Sequence, residues 1–422
     1  YGAGNTGSTG AAGVTGAANI GNAATASIDL SDTEFNFGGA TAITAVGNVT
    51  SDANIKIKTD DDLTITAGNS ATTGFKTTGA AKIFSLADKT LKIVGNIIGV
   101  DSGTSTETIE FQSGTNAGAD DGTIDIAGNI GTEIQSISLK AATAIKLGGT
   151  ITTISASNND VTITGPVILT ADTDIDVTAN NTGTHEGDIT FSSTINDDAS
   201  GTAATLTLDA DGGAISVGGA IGANNAIGTL DINQDATDHH GTITLKGIGN
   251  TSAGAGATNI GNASTDQLDL AGTFFTGGNT TYESKSGEFI DITGTSTFKT
   301  RTTADHNIVF QTGEIDITDN KNLTINAGNG DITLVNIHGD GTNSTSTSTL
   351  DIDGATVTVK EIGNSGVKDE IGAVTIDGTV KVQLNGAIYT GGASNTVTIT
   401  GPTELATGTI LIDTTDGNGA VT

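Results

Sequence analysis

The stretch Val161-Thr162-Ile163-Thr164-Gly165-Pro166 decides how this chain is interpreted. Apolar and hydroxyl side chains alternate over its first four residues, which is the period of two expected of a strand with one buried face. Glycine and proline then end the strand in a turn. The phrase returns as Val397-Thr398-Ile399-Thr400-Gly401-Pro402, and its two copies hold the only two prolines in 422 residues. The sequence therefore predicts short strands closed by tight turns.

Pairs of apolar residues separated by one polar residue recur along the whole chain. Examples are Ile55/Ile57, Ile124/Ile126, Ile137/Leu139, Ile175/Val177, Leu206/Leu208, Ile243/Leu245, Ile315/Ile317 and Val374/Ile376. Comparable strands return about every 24 residues, as from Ile137 to Val161 and from Leu206 to Leu230. No stretch keeps a 3.6-residue period, so we expect essentially no α-helix.

Two all-β architectures fit such a pattern. Tandem sandwich domains need units of roughly 100 residues, hairpin turns and usually a large aromatic core residue. The chain has no Trp, and its strands recur at a much finer spacing. A solenoid, in which parallel strands stack from one coil to the next, matches the spacing. We therefore predict a right-handed parallel β-helix with roughly 24 residues per coil, the hand following from the general crossover preference.

A longer repeat overlies the coil repeat. Ile20-Gly21-Asn22-Ala23 returns as Ile260-Gly261-Asn262-Ala263, and Leu63-Thr64-Ile65 returns as Leu323-Thr324-Ile325. With the proline phrase, these anchors predict about 1.7 copies of a block of about 240 residues. We divide the chain into a Gly/Ala/Asn-rich segment, residues 1–26, and a continuous solenoid, residues 27–422. Because the chain starts and stops in mid-repeat, we expect an excerpt or mature piece of a longer protein, with residues 1–26 as a junction or strand-exchange element.

Charge and composition restrict the binding partners that this protein can have. The chain carries 16 basic and 48 acidic residues, for a net charge of −32. Nucleic acid and anionic membranes are poor partners for such a surface, whereas divalent cations and basic surfaces suit it. No run approaches the ~18 apolar residues of a membrane helix. Cysteine is absent, so no disulfides or thiol chemistry are expected. With aromatic residues at 3%, we expect a thin core of small aliphatic side chains.

Five aspartates are weak candidates for calcium binding, the one cofactor that the sequence suggests. They are Asp60, Asp61 and Asp62 in one run, and Asp209 and Asp211 before Gly212-Gly213. Calcium requires six to eight oxygen ligands in a preformed loop. Neither stretch matches a twelve-residue calcium loop or the nonapeptide calcium repeat. Solvated acidic turns are the competing interpretation.

A catalytic role has little support. Some β-helices degrade polysaccharides, and such a site requires clustered carboxylates beside a cation. The only arginine is Arg301, with Asp305 and His306 nearby. We interpret this stretch as a charged loop, and His239-His240 as a surface loop, because a metal site needs more ligands. His185 and His338 are isolated. We therefore predict no catalytic residues and no enzyme.

Two further features concern turns and loops. Asn22 and Asn262 occupy the repeated Ile-Gly-Asn-Ala motif, where we expect their side chains to form hydrogen bonds at a coil corner. The longest polar connections are candidate contact surfaces. They are Gly103–Thr106, Asn180–Gly187, Asp235–Gly241 and Gly339–Thr349.

The residue pattern of the repeats resembles that of a known family. The run from Leu206 to Gly222, together with Gly187-Asp188-Ile189-Thr190-Phe191 and Gly330-Asp331-Ile332-Thr333-Leu334, is similar to repeats of filamentous-haemagglutinin-type bacterial surface proteins and of autotransporter passengers. The resemblance implies a secreted β-helical fibre at the cell surface, used in adhesion or as a coat. It supplies no catalytic residues.

Three functional hypotheses follow from these observations. The first is a structural, extracellular, rigid β-solenoid rod that associates end to end with copies of itself or coats the cell. The second is an adhesin that binds cell-surface glycans. The third is a polysaccharide-degrading enzyme or phage-type fibre, which would require carboxylates and a cation to converge in a groove.

Overall fold

A computed structural model describes most of the chain. The described residues are 17–30, 34–51, 55–70, 72–85, 89–100, 107–114, 122–131, 134–154, 159–177, 187–235, 240–250, 254–301, 304–339, 347–364, 371–391, 396–406, 408–414 and 421–422. They form two compact units, residues 1–218 and 219–422.

Each unit is a parallel β-solenoid, and the two together comprise about 13 turns spaced about 25 residues apart. A full turn contributes one strand segment to each of three stacks, which we call ladders A, B1 and B2. The chain visits them in the order B1, B2, A. Every strand-to-strand pairing in the described part of the chain is parallel and joins a segment to the equivalent segment of the next turn.

In the first unit, ladder A contains β3 Glu34–Phe37, β6 Ile55–Thr59, β9 Ala80–Ser85, β12 Glu107–Ser113, β15 Ile134–Ala141, β17 Val161–Thr164, β19 Ile189–Phe191 and β22 Ile215–Val217. Ladder B1 contains β1 Ala18–Gly21, β4 Thr41–Thr44, β7 Leu63–Thr66, β10 Thr90–Val94, β13 Thr123–Ile126 and β20 Ile195–Asp197. Ladder B2 contains β2 Ile28–Leu30, β5 Val49–Ser51, β8 Gly74–Thr77, β11 Asn96–Gly99, β14 Ile130–Gly131 and β21 Leu206–Asp209. Two long strands, β16 Ala144–Thr153 and β18 Val167–Val177, run through B1 and then B2.

In the second unit, ladder A contains β24 His240–Leu245, β26 Thr265–Leu270, β29 Phe289–Ile292, β32 Glu314–Ile317, β35 Ile337–Gly339, β38 Ile388–Tyr389 and β41 Ile412–Asp413. Ladder B1 contains β27 Thr273–Thr276, β30 Ser296–Thr300, β33 Asn322–Asn326 and β39 Val397–Thr400. Ladder B2 contains β23 Leu230–Ile232, β25 Thr258–Ile260, β28 Thr280–Tyr282, β31 Ile308–Phe310, β34 Ile332–Thr333 and β40 Thr403–Leu405. Here β36 Thr349–Val359 and β37 Ala373–Leu384 run through B1 and B2.

The apolar pairs of the sequence point inward and lie above one another. In ladder A, Ile137 is opposite Val161, Val161 opposite Ile189, and Ile189 opposite Ile215. All four are at most 1% exposed. The stacking of inward-facing aliphatic side chains, turn upon turn, is therefore confirmed.

The predicted fold class is also confirmed. The interpretable part of the chain is an all-β parallel β-solenoid without α-helix, and its turn spacing of about 25 residues is close to the predicted 24. No described segment forms a helix long and apolar enough to cross a membrane. The right hand of the coil stays a prediction.

The two copies of the proline phrase lie on different ladders. Val161–Thr164 belongs to ladder A and pairs with β15 and β19, whereas Val397–Thr400 belongs to ladder B1 and pairs with β37. The phrase thus encodes a strand and a turn but not a position around the coil. The 240-residue duplication stays a prediction.

The amino-terminal segment, residues 1–26, is described from residue 17 onward. Its strand β1 pairs with β4 of the same unit, with Ile20 opposite Ile43. Residues 17–26 therefore contribute to the first ladder turn of their own chain. Strand exchange by residues 1–16 falls outside the described residues and stays a prediction.

The core of the second unit contains stacked aromatic rings, which the low aromatic content did not suggest. Phe274 stacks on Phe298 at 4.6 Å between ring centroids, and Tyr282 stacks on Phe310 at 4.8 Å. Tyr282 also meets Phe298 edge-on at 5.0 Å. Burial raises the pKa of the Tyr282 hydroxyl, so this residue is uncharged at neutral pH. Because parallel register places Phe274 opposite Phe298 and Tyr282 opposite Phe310 in successive turns, a few aromatic residues are enough to form a stack.

Replacing Phe298 by Ala should destabilise the protein by about 3–5 kcal/mol, because it leaves a cavity between three rings. The shift in the urea unfolding midpoint measures the effect. Phe289→Ala is the matched control, since Phe289 is 41% exposed and should cost far less. Equal losses in the two variants would contradict the importance of the stack.

Gly165, in the proline phrase, has a φ of 131°, and a Cβ placed there would collide with the carbonyl oxygen of Ala141 in the turn before it. Gly165→Ala should therefore lower stability by about 1–3 kcal/mol through backbone strain. Gly201 has open space around its Cβ position, so Gly201→Ala should be neutral or slightly stabilising. Thermal unfolding of both variants compares the two sites. If Gly165→Ala unfolds at the same temperature as the parent protein, the turn can rearrange and the predicted strain is absent.

Candidate functional site

The run Asp60-Asp61-Asp62 forms a turn in which the carboxylates of Asp61 and Asp62 have protein partners. Asp61 lies 3.0 Å from the Lys89 ammonium, and its Oδ1 accepts the Asp62 backbone N–H at 2.9 Å. Asp62 accepts the Thr90 N–H at 2.7 Å, one turn further along. The hydrogen bond to Lys89 holds the pKa of Asp61 below its ordinary value. The run therefore links neighbouring turns.

Asp209 and Asp211 form a local turn of the same kind. The Oδ1 of Asp209 accepts the backbone N–H of Asp211 at 3.1 Å. Asp211 adopts a positive φ of 43°, and the Gly213 N–H donates to the Ala210 carbonyl at 2.7 Å. Asp commonly stabilises such turns by bonding to the backbone two residues on. Asp209 stands opposite Asp176 of the preceding turn. Among the described residues, no group of three or more His, Asp or Glu is placed to hold a metal ion.

The stretch around Arg301 forms part of a turn corner. The Thr300 hydroxyl donates to the Ala327 carbonyl at 2.9 Å and to the His306 carbonyl at 3.3 Å. The Ala304 N–H donates to the Arg301 carbonyl at 3.3 Å. Arg301 itself is exposed. These contacts join the corner to the turn that follows it; residues 302–303 lie outside the described residues.

The histidines occupy different environments. His240 is buried, with Nε2 2.7 Å from the Asp235 carbonyl, so the surface-loop interpretation is wrong for this residue. It stands at the start of β24, where the chain turns into the core. His338 lies in ladder A with Nδ1 3.6 Å from Glu314. His185 and His239 lie outside the described residues, as does most of each of the four long polar connections.

The repeated Ile-Gly-Asn-Ala motif forms a coil corner, as predicted. The Asn22 N–H donates to the Thr25 hydroxyl at 2.9 Å, and its side-chain oxygen accepts the Ala24 N–H at 2.8 Å. Asn262 repeats both bonds with Thr265 and Ser264, at 3.0 and 2.7 Å. The Asn262 amide also donates to the Asp235 carbonyl of the preceding turn at 2.6 Å. The motif thus closes a corner and joins it to its neighbour.

The outward side of ladder A in the first unit is rich in lysine. Two outward rows run along it, each with one residue per turn. By register, one row contains Glu34, Lys56, Lys82, Glu110, Ser138, Thr162, Thr190 and Ser216, and the other contains Asn36, Lys58, Phe84, Gln112, Lys140 and Thr164. Lys82 pairs with Glu110 at 2.6 Å. Four of the sixteen basic residues of the chain therefore share one face.

The same side of ladder A in the second unit is rich in carboxylates. Asp269, Asp291 and Asp316 stand opposite one another in three successive turns, and His338 follows Asp316. The Gln267 amide donates to Asp269 at 2.7 Å and to Asp291 at 2.6 Å, and so lies between two negative charges. Glu314 stands in the adjacent row, opposite Phe289. The first-unit surface thus mixes lysines with carboxylates, whereas the charged residues of the second-unit row are mainly carboxylates.

A second row of carboxylates lies on ladder B1 of the second unit. Asp353 is opposite Asp377, and its Oδ2 accepts a hydrogen bond from the Asn326 amide at 2.9 Å. Burial raises the pKa of Asp353, and the charges of Asp377 and Asp351 raise it further. Stacking like charges one turn apart thus opposes ionisation.

The architecture defines the class of the protein as a parallel β-solenoid. Searches against models of protein families, curated proteins and solved structures find no match to this chain. The similarity to filamentous haemagglutinins therefore stays a prediction based on the repeats.

Asp353→Asn should stabilise the protein at pH 7. Because the pKa of Asp353 is raised in the folded state, its favourable contribution is complete below the unfolded value of about 3.9 and is lost as pH rises through the folded pKa. The gain should disappear near pH 3. Urea unfolding between pH 3 and 7 measures it.

Asp61→Asn provides the control of opposite sign. The lowered pKa of Asp61 means that its contribution is present above the unfolded pKa and is lost as pH falls. Asp61→Asn should therefore reduce stability at pH 7. The electrostatic interpretation would fail if both variants changed stability in the same direction.

Proposed function

We propose that this chain is a structural β-solenoid protein that associates end to end with copies of itself. The observation that carries the proposal is the architecture: parallel turns join one another through backbone hydrogen bonds in constant register, and a second copy can continue the ladders in the same way. Leu405 stands opposite Leu384 in ladder B2, yet it is 53% exposed whereas Leu384 is 1% exposed. Val421 stands opposite Val397, and the corresponding values are 53% and 0%.

Leu411 extends the same surface. It is 52% exposed and directly precedes β41, whose Ile412 pairs with Ile388. Exposed apolar side chains in adjoining ladders form a contiguous surface of the kind that mediates protein association.

The first described turn shows a similar difference in burial. Ile20 and Ile28 are half-buried, whereas their partners Ile43 and Val49 in the next turn are at most 1% exposed. A strand added in parallel would continue the existing ladders with the same register and spacing. The occupant that we propose for each surface is therefore the opposite end of a second copy.

An extracellular location at a cell surface is part of this proposal. Three features of the sequence support it: the resemblance of its repeat pattern to bacterial surface proteins, the absence of cysteine and the acidic composition. In such a setting, the solenoid would act mechanically, by stacking. The adhesin hypothesis shares this scaffold and adds a glycan partner on the outward rows; it stays a prediction.

The 422-residue chain should form end-to-end oligomers, and Leu405→Asp/Leu411→Asp should abolish them, because the substitutions place charge on the apolar end surface. Sedimentation velocity and negative-stain electron microscopy measure the oligomers. Val380→Asp is the control, since Val380 is 63% exposed but lies in β37, one turn before β39 and β40. A monomeric parent chain, or equal loss in the control, would refute the proposal.

A further inference from the structure

Two asparagine–glycine pairs lie in the described part of the chain, and their backbone environments differ. One is Asn329-Gly330, in the corner between β33 and β34, and the other is Asn385-Gly386, in the corner between β37 and β38. A third pair, Asn418-Gly419, lies outside the described residues. Asparagine followed by glycine is prone to deamidation, because glycine has no side chain to hinder attack by its own backbone nitrogen on the preceding amide.

The reaction places a requirement on the backbone of the glycine. Its nitrogen forms a bond to the side-chain carbonyl carbon (Cγ) of the asparagine, the bond from Cγ to Nδ2 breaks, and Nδ2 leaves as ammonia with the proton of the glycine N–H. Water then opens the succinimide ring at either carbonyl carbon. The products are aspartate and isoaspartate, in which the main chain runs through the former side chain. The glycine N–H must therefore be accessible and free of a competing hydrogen bond.

The backbone of Gly330 does not meet this requirement. Its N–H donates to the Ala327 carbonyl at 2.9 Å, and its carbonyl accepts the Ala355 N–H at 2.8 Å. Gly330 is buried, and a Cβ placed there would collide with the carbonyl oxygen of His306 in the preceding turn. The nitrogen is therefore held in place by its own hydrogen bond and by the packing around it. The exposed side chain of Asn329 has no free nucleophile beside it.

The backbone of Gly386 does meet it. Within the described ranges, its N–H donates to no acceptor, and the residue is only half-buried. The Asn385 N–H donates to the Val359 carbonyl at 2.9 Å, which fixes the residue that is attacked. The Gln383 amide donates to Asn385 Oδ1 at 3.4 Å and so withdraws electron density from Cγ. The nucleophile is available here, and the amide next to it is weakly polarised for attack.

We propose that Asn385 is a site of spontaneous deamidation in the folded protein and that Asn329 is protected. Exposure alone gives the opposite order, because the side chain of Asn329 is exposed and that of Asn385 is half-buried. The two criteria therefore make contrary predictions on one chain. The reaction needs only water and does not depend on the proposed self-association.

Isoaspartate at position 385 has a consequence for ladder A, because it adds one main-chain atom to the corner before β38. In that strand, the Ile388 N–H donates to the Leu411 carbonyl at 2.9 Å, and the Tyr389 N–H donates to the Ile362 carbonyl at 2.7 Å. A longer corner moves β38 along both neighbours, and register leaves little tolerance for such a shift. The contact between β38 and β41 should therefore loosen as the protein ages.

Ageing the purified chain in mildly alkaline buffer tests the proposal. Tandem mass spectrometry of peptides locates each deamidated residue, and enzymatic methylation detects isoaspartate. In the folded protein, Asn385 should convert roughly fivefold or more faster than Asn329, the factor expected when one backbone hydrogen bond must break first. In concentrated urea the two rates should become similar, because both N–H groups are then free and both asparagines precede glycine.

Asn385→Gln is the matched control, because glutamine keeps the amide but forms the cyclic intermediate far more slowly. Gly386→Ala is unsuitable, since its Cβ would collide with the Glu361 backbone nitrogen. Hydrogen exchange at the Ile388 amide should speed up in the aged parent protein and stay unchanged in aged Asn385→Gln. The proposal is overturned if Asn329 converts as fast as Asn385 in the folded protein, or if Asn385 converts only in urea. Equal loss of Ile388 protection in both aged proteins would refute the effect on ladder A.

Discussion

Backbone hydrogen bonding between each turn and the next, in parallel register, is the constraint on which the rest of the structure depends. It places every residue opposite a counterpart about 4.8 Å away, so that Ile137, Val161 and Ile189 form one continuous buried column. A slip of one residue would turn the whole set outward. Corners can vary in length as long as each strand re-enters in register, and the coil tolerates large differences between its turns.

The same register governs polar side chains. An outward residue always meets the outward residue of the next turn, so a local bias in sequence becomes a row. In ladder A this produces a lysine-rich surface in the first unit and the row Asp269, Asp291, Asp316 in the second. Inside, the Ser85 hydroxyl donates to Ser113, which donates to the Lys89 carbonyl, both at 2.7 Å. Hydroxyls near a corner thus satisfy each other without reaching solvent.

Local features were predictable to different degrees. The apolar pairs, the parallel stacking and the corner role of Asn22 and Asn262 depend on residues within one turn or on direct neighbours, and the sequence predicted them. Ladder assignment was not predictable, because a four-residue strand followed by glycine fits any side of the coil, as the two proline phrases demonstrate. The prediction of a core made of small aliphatic side chains, based on the low aromatic content, was incomplete. Four aromatic residues stack together in the second unit: Phe274, Phe298, Tyr282 and Phe310.

By itself, the sequence determined the type of element, its period and the turn chemistry, because these follow from alternation and from residues that tolerate tight corners. Only the tertiary structure decided which residues share a face, since that depends on the number of residues in every intervening corner. The buried position of His240, the aromatic stack and the charged rows of ladder A all belong to this second group. The aromatic stack and the charged rows join residues about 25 positions apart, and local alternation does not say which ladder such residues occupy.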